Sequence, residues 1–204
     1  MRKHNFKKIF YFLLAGFLLT RCSRNDTRYF ADAEDPGIAI FSSTGNNIFS
    51  CFIDGKPWRT VSRTSGGFTY YRINYEVDIF KQVTGNVKDT LVITWKGYFE
   101  GNTVMTNSFS LHLAVEPGFG YKELNFLQGQ RLTIDTAINY FSSTINGFNS
   151  KGKGHIYFHS ISLDSIGPGM YSGSMSGLLD ADFNTSKITR GRFDHWITPD
   201  QVHF

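Results

Sequence analysis

Cysteine is nearly missing from this chain. Two residues in 204, Cys22 and Cys51, cannot build a disulfide-dense scaffold. Proline is scarce, at five residues, and the 20 glycines keep no three-residue period, so a collagen-like rod is excluded. Charge is modest, at 19%, against 41% hydrophobic residues, which is too apolar a balance for a disordered tail. After residue 22 no apolar i, i+3, i+4, i+7 pattern lasts three turns, which argues against a helical bundle. Catalytic and phosphate-binding signatures are missing too: there is no P-loop, no G-x-S-x-G, and no D-x-[DN]-x-[DN]-G calcium loop. The length fits one domain with a self-sufficient core.

The first 22 residues differ in kind from the rest. Arg2, Lys3, Lys7 and Lys8 precede an uncharged apolar run from Ile9 to Thr20. As a helix those twelve residues reach about 18 Å, short of the roughly 30 Å of a bilayer's hydrocarbon. That length suits the apolar region of a secretory signal. Leu19-Thr20-Arg21-Cys22 then resembles the lipobox of bacterial lipoproteins, with Arg21 in place of the usual small residue before the cysteine. The resemblance implies cleavage after residue 21, acyl chains such as palmitate on Cys22, and a membrane held through that lipid anchor. Five of the 21 Lys and Arg precede Cys22, and none of the 17 Asp and Glu do. From Cys22 onward 16 basic residues therefore face 17 acidic ones, a net charge of −1. The basicity belongs to the export signal, and no nucleic-acid partner is expected.

Residues 22–46 are polar with little period and read as a tether, with Gly37–Phe41 a candidate edge segment. From Asn47 the pattern is β. Asn47–Asp54 alternates into the turn Gly55-Lys56-Pro57, and Trp58–Ser62 follows. Phe68–Phe80 alternates most clearly, with Tyr71, Ile73, Tyr75, Val77 and Ile79 on one face. Thr90–Phe99 and Ser108–Val115 repeat the pattern, with Leu91, Ile93, Trp95, Phe109, Leu111 and Leu113 inward. Gly118–Gln130 holds a turn or short helix around Lys122–Leu127. Ile138–Ile145, Gly154–Ser162, Met170–Phe183 and Lys187–Ile197 supply further strands, the last two joined as a hairpin by Asn184-Thr185-Ser186. The expectation is one all-β domain over residues 47–204, an antiparallel β-sandwich of about nine to ten strands with a barrel as the alternative.

Phe49-Ser50-Cys51-Phe52-Ile53-Asp54-Gly55-Lys56-Pro57-Trp58 is similar to the first strand-turn-strand of envelope lipoproteins from Bacteroidetes-type bacteria. Tyr171 to Gly177 (YSGSMSG) and Ile188 to Asp194 (ITRGRFD) resemble their closing hairpin. The resemblance implies an outer-membrane lipoprotein of the cell envelope, facing the periplasm or the surface, and implies no activity. The same group of bacteria O-glycosylates exported proteins at D-[ST]-[AILVMT]. Asp89-Thr90-Leu91, Asp135-Thr136-Ala137 and Asp164-Ser165-Ile166 fit that pattern, which makes Thr90, Thr136 and Ser165 candidate glycosylation sites.

No catalytic constellation, metal site or cofactor is expected. His155 and His159 sit too far apart on one strand to share an ion without His112 or Asp164. Asp180 and Asp182 could serve calcium only with loop carbonyls. Cys51, within an apolar alternation, reads as a core residue. Trp58, Tyr70, Arg72 and Trp196 are the candidate ligand-binding residues, as aromatic platforms beside polar groups suit sugars or peptides. The expected role is non-enzymatic: binding a glycan or an envelope protein, or supporting the envelope. The alternatives are a secreted glycan hydrolase using Glu76 and Asp78, and a lipocalin-like carrier of a small apolar ligand.

Overall fold

The structure is a computed structural model that describes residues 31–60, 75–80, 88–99, 107–135, 138–145, 147–168, 170–197 and 202–203. Its strands are β1 (Ile48–Ile53), β2 (Lys56–Arg59), β3 (Tyr75–Phe80), β4 (Asp89–Phe99), β5 (Asn107–Val115), β6 (Arg131–Ile134), β7 (Tyr140–Ile145), β8 (Phe148–Gly167), β9 (Met170–Phe183), β10 (Lys187–Ile197) and β11 (Val202–His203). A 3₁₀ helix occupies Lys122–Leu127, where a short helix is expected.

The strands pair in the order β4-β2-β1-β10-β9-β8-β7-β5, and β5 returns to β4, closing an antiparallel barrel of eight strands. The all-β class holds, and of the two architectures the barrel is the one adopted. Alternation along a strand is the same for a sandwich and a barrel; what separates them is whether the sheet curls far enough to meet itself. Curvature here follows from bulges and glycines. β8 shifts register at Phe158/Ser160 and Ser165/Gly167, and β10 at Ile188/Gly191. A Cβ on Gly173 would lie 1.7 Å from the Ser162 carbonyl oxygen, and one on Gly177 2.2 Å from that of Tyr157. Only glycine lets these backbones come so close.

Two long strands each serve two neighbours on one edge. β4 pairs with β3 through Thr90–Trp95 and with β2 through Tyr98 and Phe99. β8, twenty residues long, pairs with β7 through Phe148–Gly152 and with β6 through Gly154–Tyr157. Sequence reading misses β6 and starts β8 late, because Lys151-Gly152-Lys153-Gly154 has the composition of a loop. Both glycines are in the strand because their inward faces meet β9: a Cβ would lie 2.5 Å from the Phe183 ring and 2.0 Å from the Asp180 carbonyl oxygen.

The interior is filled with rings. Trp58, Trp95, Phe49, Phe109, Phe158 and Phe193 are fully or almost fully buried. Phe109 lies 4.8 Å from Phe49 and 5.0 Å from Trp95, centroid to centroid, and Phe193 lies 5.7 Å from Trp95. Eight strands enclose a space that side chains of this size can fill. The inward residues expected from alternation, Leu91, Ile93, Trp95, Phe109, Leu111 and Leu113, are all in this core. Val77 is buried as expected, while Phe68–Asn74 lies outside the described residues.

A histidine is among the polar side chains that the structure buries. His195 on β10 is fully buried, and the Trp95 indole N–H donates to its Nε2 at 2.7 Å. Nε2 therefore carries no proton, and burial lowers the imidazole pKa to about 3.

The segment 31–46 departs from expectation. Within the span read as a tether, these residues lie against the barrel wall as a strap. Ala31 and Ala39 form a β-bridge, and Ile38 is fully buried. The strap is fixed by side chains of β10 and β1 that alternation points outward: Arg190, Arg192, Asp194 and Ser50. Sequence composition alone could not show that Asp32 and Asp35 would have two arginines to meet.

His195 gives the barrel a defined acid sensitivity. The unfolded chain protonates this histidine below about pH 6.5, whereas the folded chain resists until near pH 3. Its contribution to stability is therefore complete above pH 6.5 and is lost as pH falls toward 3, by about 5 kcal/mol in total. Denaturant unfolding measured at a series of pH values should show this decline, and His195→Gln, which still accepts from Trp95 but does not titrate, should flatten it. Equal pH slopes in the two proteins would contradict the assignment.

Candidate functional site: a groove on the barrel wall

Three strands, β6, β8 and β9, carry their outward side chains in register, forming a groove on the barrel's outer surface. Arg131, Tyr157 and Leu178 are paired across the strands as one row; Thr133, His155 and Asp180 form the next. Below them Lys153, Asp182 and Lys187 continue the row pattern across β8, β9 and β10, with Asp135 just past β6. Two adjoining cavities follow these rows. The upper holds about 460 Å³ and the lower about 380 Å³, and they share Thr133, His155 and Asp180.

The rows differ in chemistry. The upper row is apolar at its centre: Leu178 is 40% exposed, and the Arg131 guanidinium lies over the Tyr157 ring at 5.6 Å from its centroid. The lower row alternates in sign. Among the described residues, none of Lys153, Asp182 and Lys187 closes an ion pair, so their charges face the groove. A ligand with one apolar face and several hydroxyl or charged substituents matches such a surface. Asp180 is partly committed, since its Oδ1 accepts from the backbone N–H of Arg190 at 2.8 Å. Arg190 itself has φ +54°, a left-handed conformation at the β10 bulge that is uncommon for a residue other than glycine.

The middle row sets Thr133, His155 and Asp180 side by side, an order that invites comparison with a nucleophile, base and acid. The geometry is loose. Thr133 Oγ1 stands 3.4 Å from His155 Nδ1, and the Asp180 oxygen that bonds Arg190 is not bonded to His155. As it stands the row offers hydrogen bonding to a ligand.

The residues singled out from sequence are dispersed. Trp58 is not a ligand platform, because β2 turns its indole into the barrel, where it packs 5.3 Å from Phe109. Trp196 faces outward from β10 but lies under the strap, at a position where a Cβ on Gly45 would come within 2.9 Å of its ring. Tyr70, Arg72, Thr136 and Cys22 lie outside the described residues. Thr90 is half-buried on β4 between β3 and β5, whereas Ser165 is exposed and donates to the Gly167 carbonyl at 3.2 Å.

The histidines do not converge. His159 meets the edge of Phe41 from the strap, and His112 stacks on Tyr140 at 4.3 Å while sharing a hydrogen bond with Ser142 Oγ. Burial, helped by the Lys151 charge nearby, lowers the His112 pKa. Among the described residues no three His, Cys, Asp or Glu groups gather as a metal site. Asp180 and Asp182 line the groove, on different rows of β9. Glu76 and Asp78 lie on β3 opposite Thr94 and Val92, away from the groove.

Arg131, Tyr157, Leu178 and Lys153 are what sequence reading did not assemble. One signal was available: in Leu178-Leu179 two apolar residues adjoin within an alternating strand, so one of them must face out. Which residues would stand beside it depends on the register among β6, β8 and β9, which no single strand encodes.

Cys51 has no place in this chemistry. It points into the barrel with no exposed surface, and burial pushes its thiol pKa well above the ordinary value. In a Cys22→Ala chain, native protein should take up no iodoacetamide, and one adduct should form once guanidinium unfolds it. Mass spectrometry showing rapid alkylation of the native fold would refute this burial.

No protein-family model matches the chain, and no similar chain is found among curated proteins or solved structures.

Proposed function

We propose that this chain is a non-enzymatic lipoprotein of the cell envelope, held on the outer membrane by acyl chains on Cys22 and binding its ligand on the barrel's outer wall. The observation that carries the reading is the order of the first 22 residues: a basic start, an uncharged apolar run and then Leu19-Thr20-Arg21-Cys22. The groove of β6, β8 and β9 supplies the binding surface, and a glycan or a segment of another envelope protein has the mixed apolar and polar chemistry it would accept. The ring-filled interior favours the wall over the lumen as the place of binding, and so favours this reading over that of a lipocalin-like carrier. The lipoprotein resemblance also proposes O-glycosylation, for which exposed Ser165 is the best-presented described position.

The anchor is tested in the native host by radiolabelled palmitate, globomycin and a Cys22→Ala variant. Label on the wild-type protein, its loss in the variant, and accumulation of the precursor under globomycin are expected. Unlabelled protein with unchanged processing and fractionation under all three conditions would defeat the proposal.

A further inference from the structure

The strap is built as a clasp. At its first end, Arg192 on β10 pairs with both Asp32 and Asp35, and its Nη1 also donates to the Ala39 carbonyl at 3.1 Å. Arg190 pairs with Asp35 as well. The Arg192 guanidinium lowers the Asp32 pKa, as does the backbone N–H of Glu34. At the second end the Asp194 carboxylate accepts from the Ser42 hydroxyl and from three backbone N–H groups, those of Thr44 at 3.3 Å, Gly45 at 2.7 Å and Asn46 at 3.1 Å. Between the ends the Ala39 N–H donates to Ser50 Oγ at 2.9 Å.

The contacts holding the strap are therefore mostly polar. Arg190, Arg192, Asp194 and Ser50 are all on the outer surface of a barrel whose apolar core is made by other side chains. Lifting the strap would expose these groups, which water solvates well, together with the Trp196 ring, and would leave that core in place. Docking buries Ile38 and Ala39 of the strap and half-buries Phe41, whose ring meets His159 at 5.2 Å.

We propose that residues 31–46 are a latch that sets how far the barrel stands from an anchor at Cys22. Nine residue steps separate Cys22 from Ala31, so with the latch closed the first docked residue can be no more than about 30 Å from the anchored cysteine. With the latch open, the first fixed residue is Ile48, 26 steps away, and the limit becomes about 90 Å. The clasp also reaches the groove. Arg190 donates its backbone N–H to Asp180 in the groove and holds Asp35 of the latch with its guanidinium, so the groove lies beside the point where the leash departs. A closed latch thus keeps the groove near the membrane, and an open one lets it reach outward. This inference uses the Cys22 anchor of the proposed function, but the latch itself can be tested apart from acylation in cells.

The described contacts of barrel and latch lie within residues 31–203, so a chain starting at Cys22 retains them. That chain is coupled through Cys22 to maleimide lipid in phosphatidylcholine vesicles carrying dansyl lipid, and energy transfer from the native tryptophans reports its height. Asp32→Ala/Asp35→Ala opens one end of the clasp and Asp194→Asn weakens the other. The second variant serves if the first fails to fold by circular dichroism. Expected are a loss of energy transfer in the variant and faster hydrogen exchange at the amides of Gly45 and Asn46, with the barrel strands still protected. The proposal is overturned if those two amides exchange freely in the wild type, or if they lose protection in a folded variant while energy transfer stays the same.

Discussion

Ring packing inside a closed sheet is the constraint from which the rest follows. An eight-stranded barrel has one interior, and here Phe49, Trp58, Trp95, Phe109, Phe158 and Phe193 occupy it. Each such side chain taken out of water contributes about 2 to 3 kcal/mol, and closure leaves β4 and β5 no free edge between them. With the inside given over to packing, outward side chains are left to do any recognition. His195 among the rings is the one titratable imidazole in the described interior, and it is accommodated as a neutral acceptor of the Trp95 N–H.

The outer wall divides by what lies on it. Over β10 and β1 runs the strap, fixed to Arg192 and Asp194. Over β6, β8 and β9, among the described residues, the groove rows run from the apolar pair Tyr157 and Leu178 to the charged Lys153 and Asp182. Arg190 joins the two regions. Its left-handed backbone is local strain at a bulge, and it is stabilised by contacts on both sides, one to Asp180 and one to Asp35.

How much of this was legible depends on the range of the interaction. Period-two alternation names the inward faces of β4 and β5 because one strand contains all the information. The hairpin of β9 and β10 is legible for the same reason: its polar connection is local. Barrel closure is not legible in the same way, because the pairing of β1 with β10 joins residues far apart in sequence. The strap reads as a tether in sequence because Asp32, Asp35 and Ser42 look like solvated polar residues until Arg192 and Asp194, about 150 positions later, are placed beside them. Trp58 does not serve as a binding residue: its place at a strand end suggests exposure, but the Cys51↔Trp58 pairing of β1 with β2 turns both side chains into the core.

The central claim is that rings fill the barrel interior, which is why binding is proposed for the outer wall. Titration with an apolar probe such as a long-chain fatty acid, followed by tryptophan fluorescence and by calorimetry, tests it most directly. The account expects no saturable uptake and no change in the emission of buried Trp58 and Trp95. Stoichiometric binding that quenches those two tryptophans would show an open lumen and contradict it.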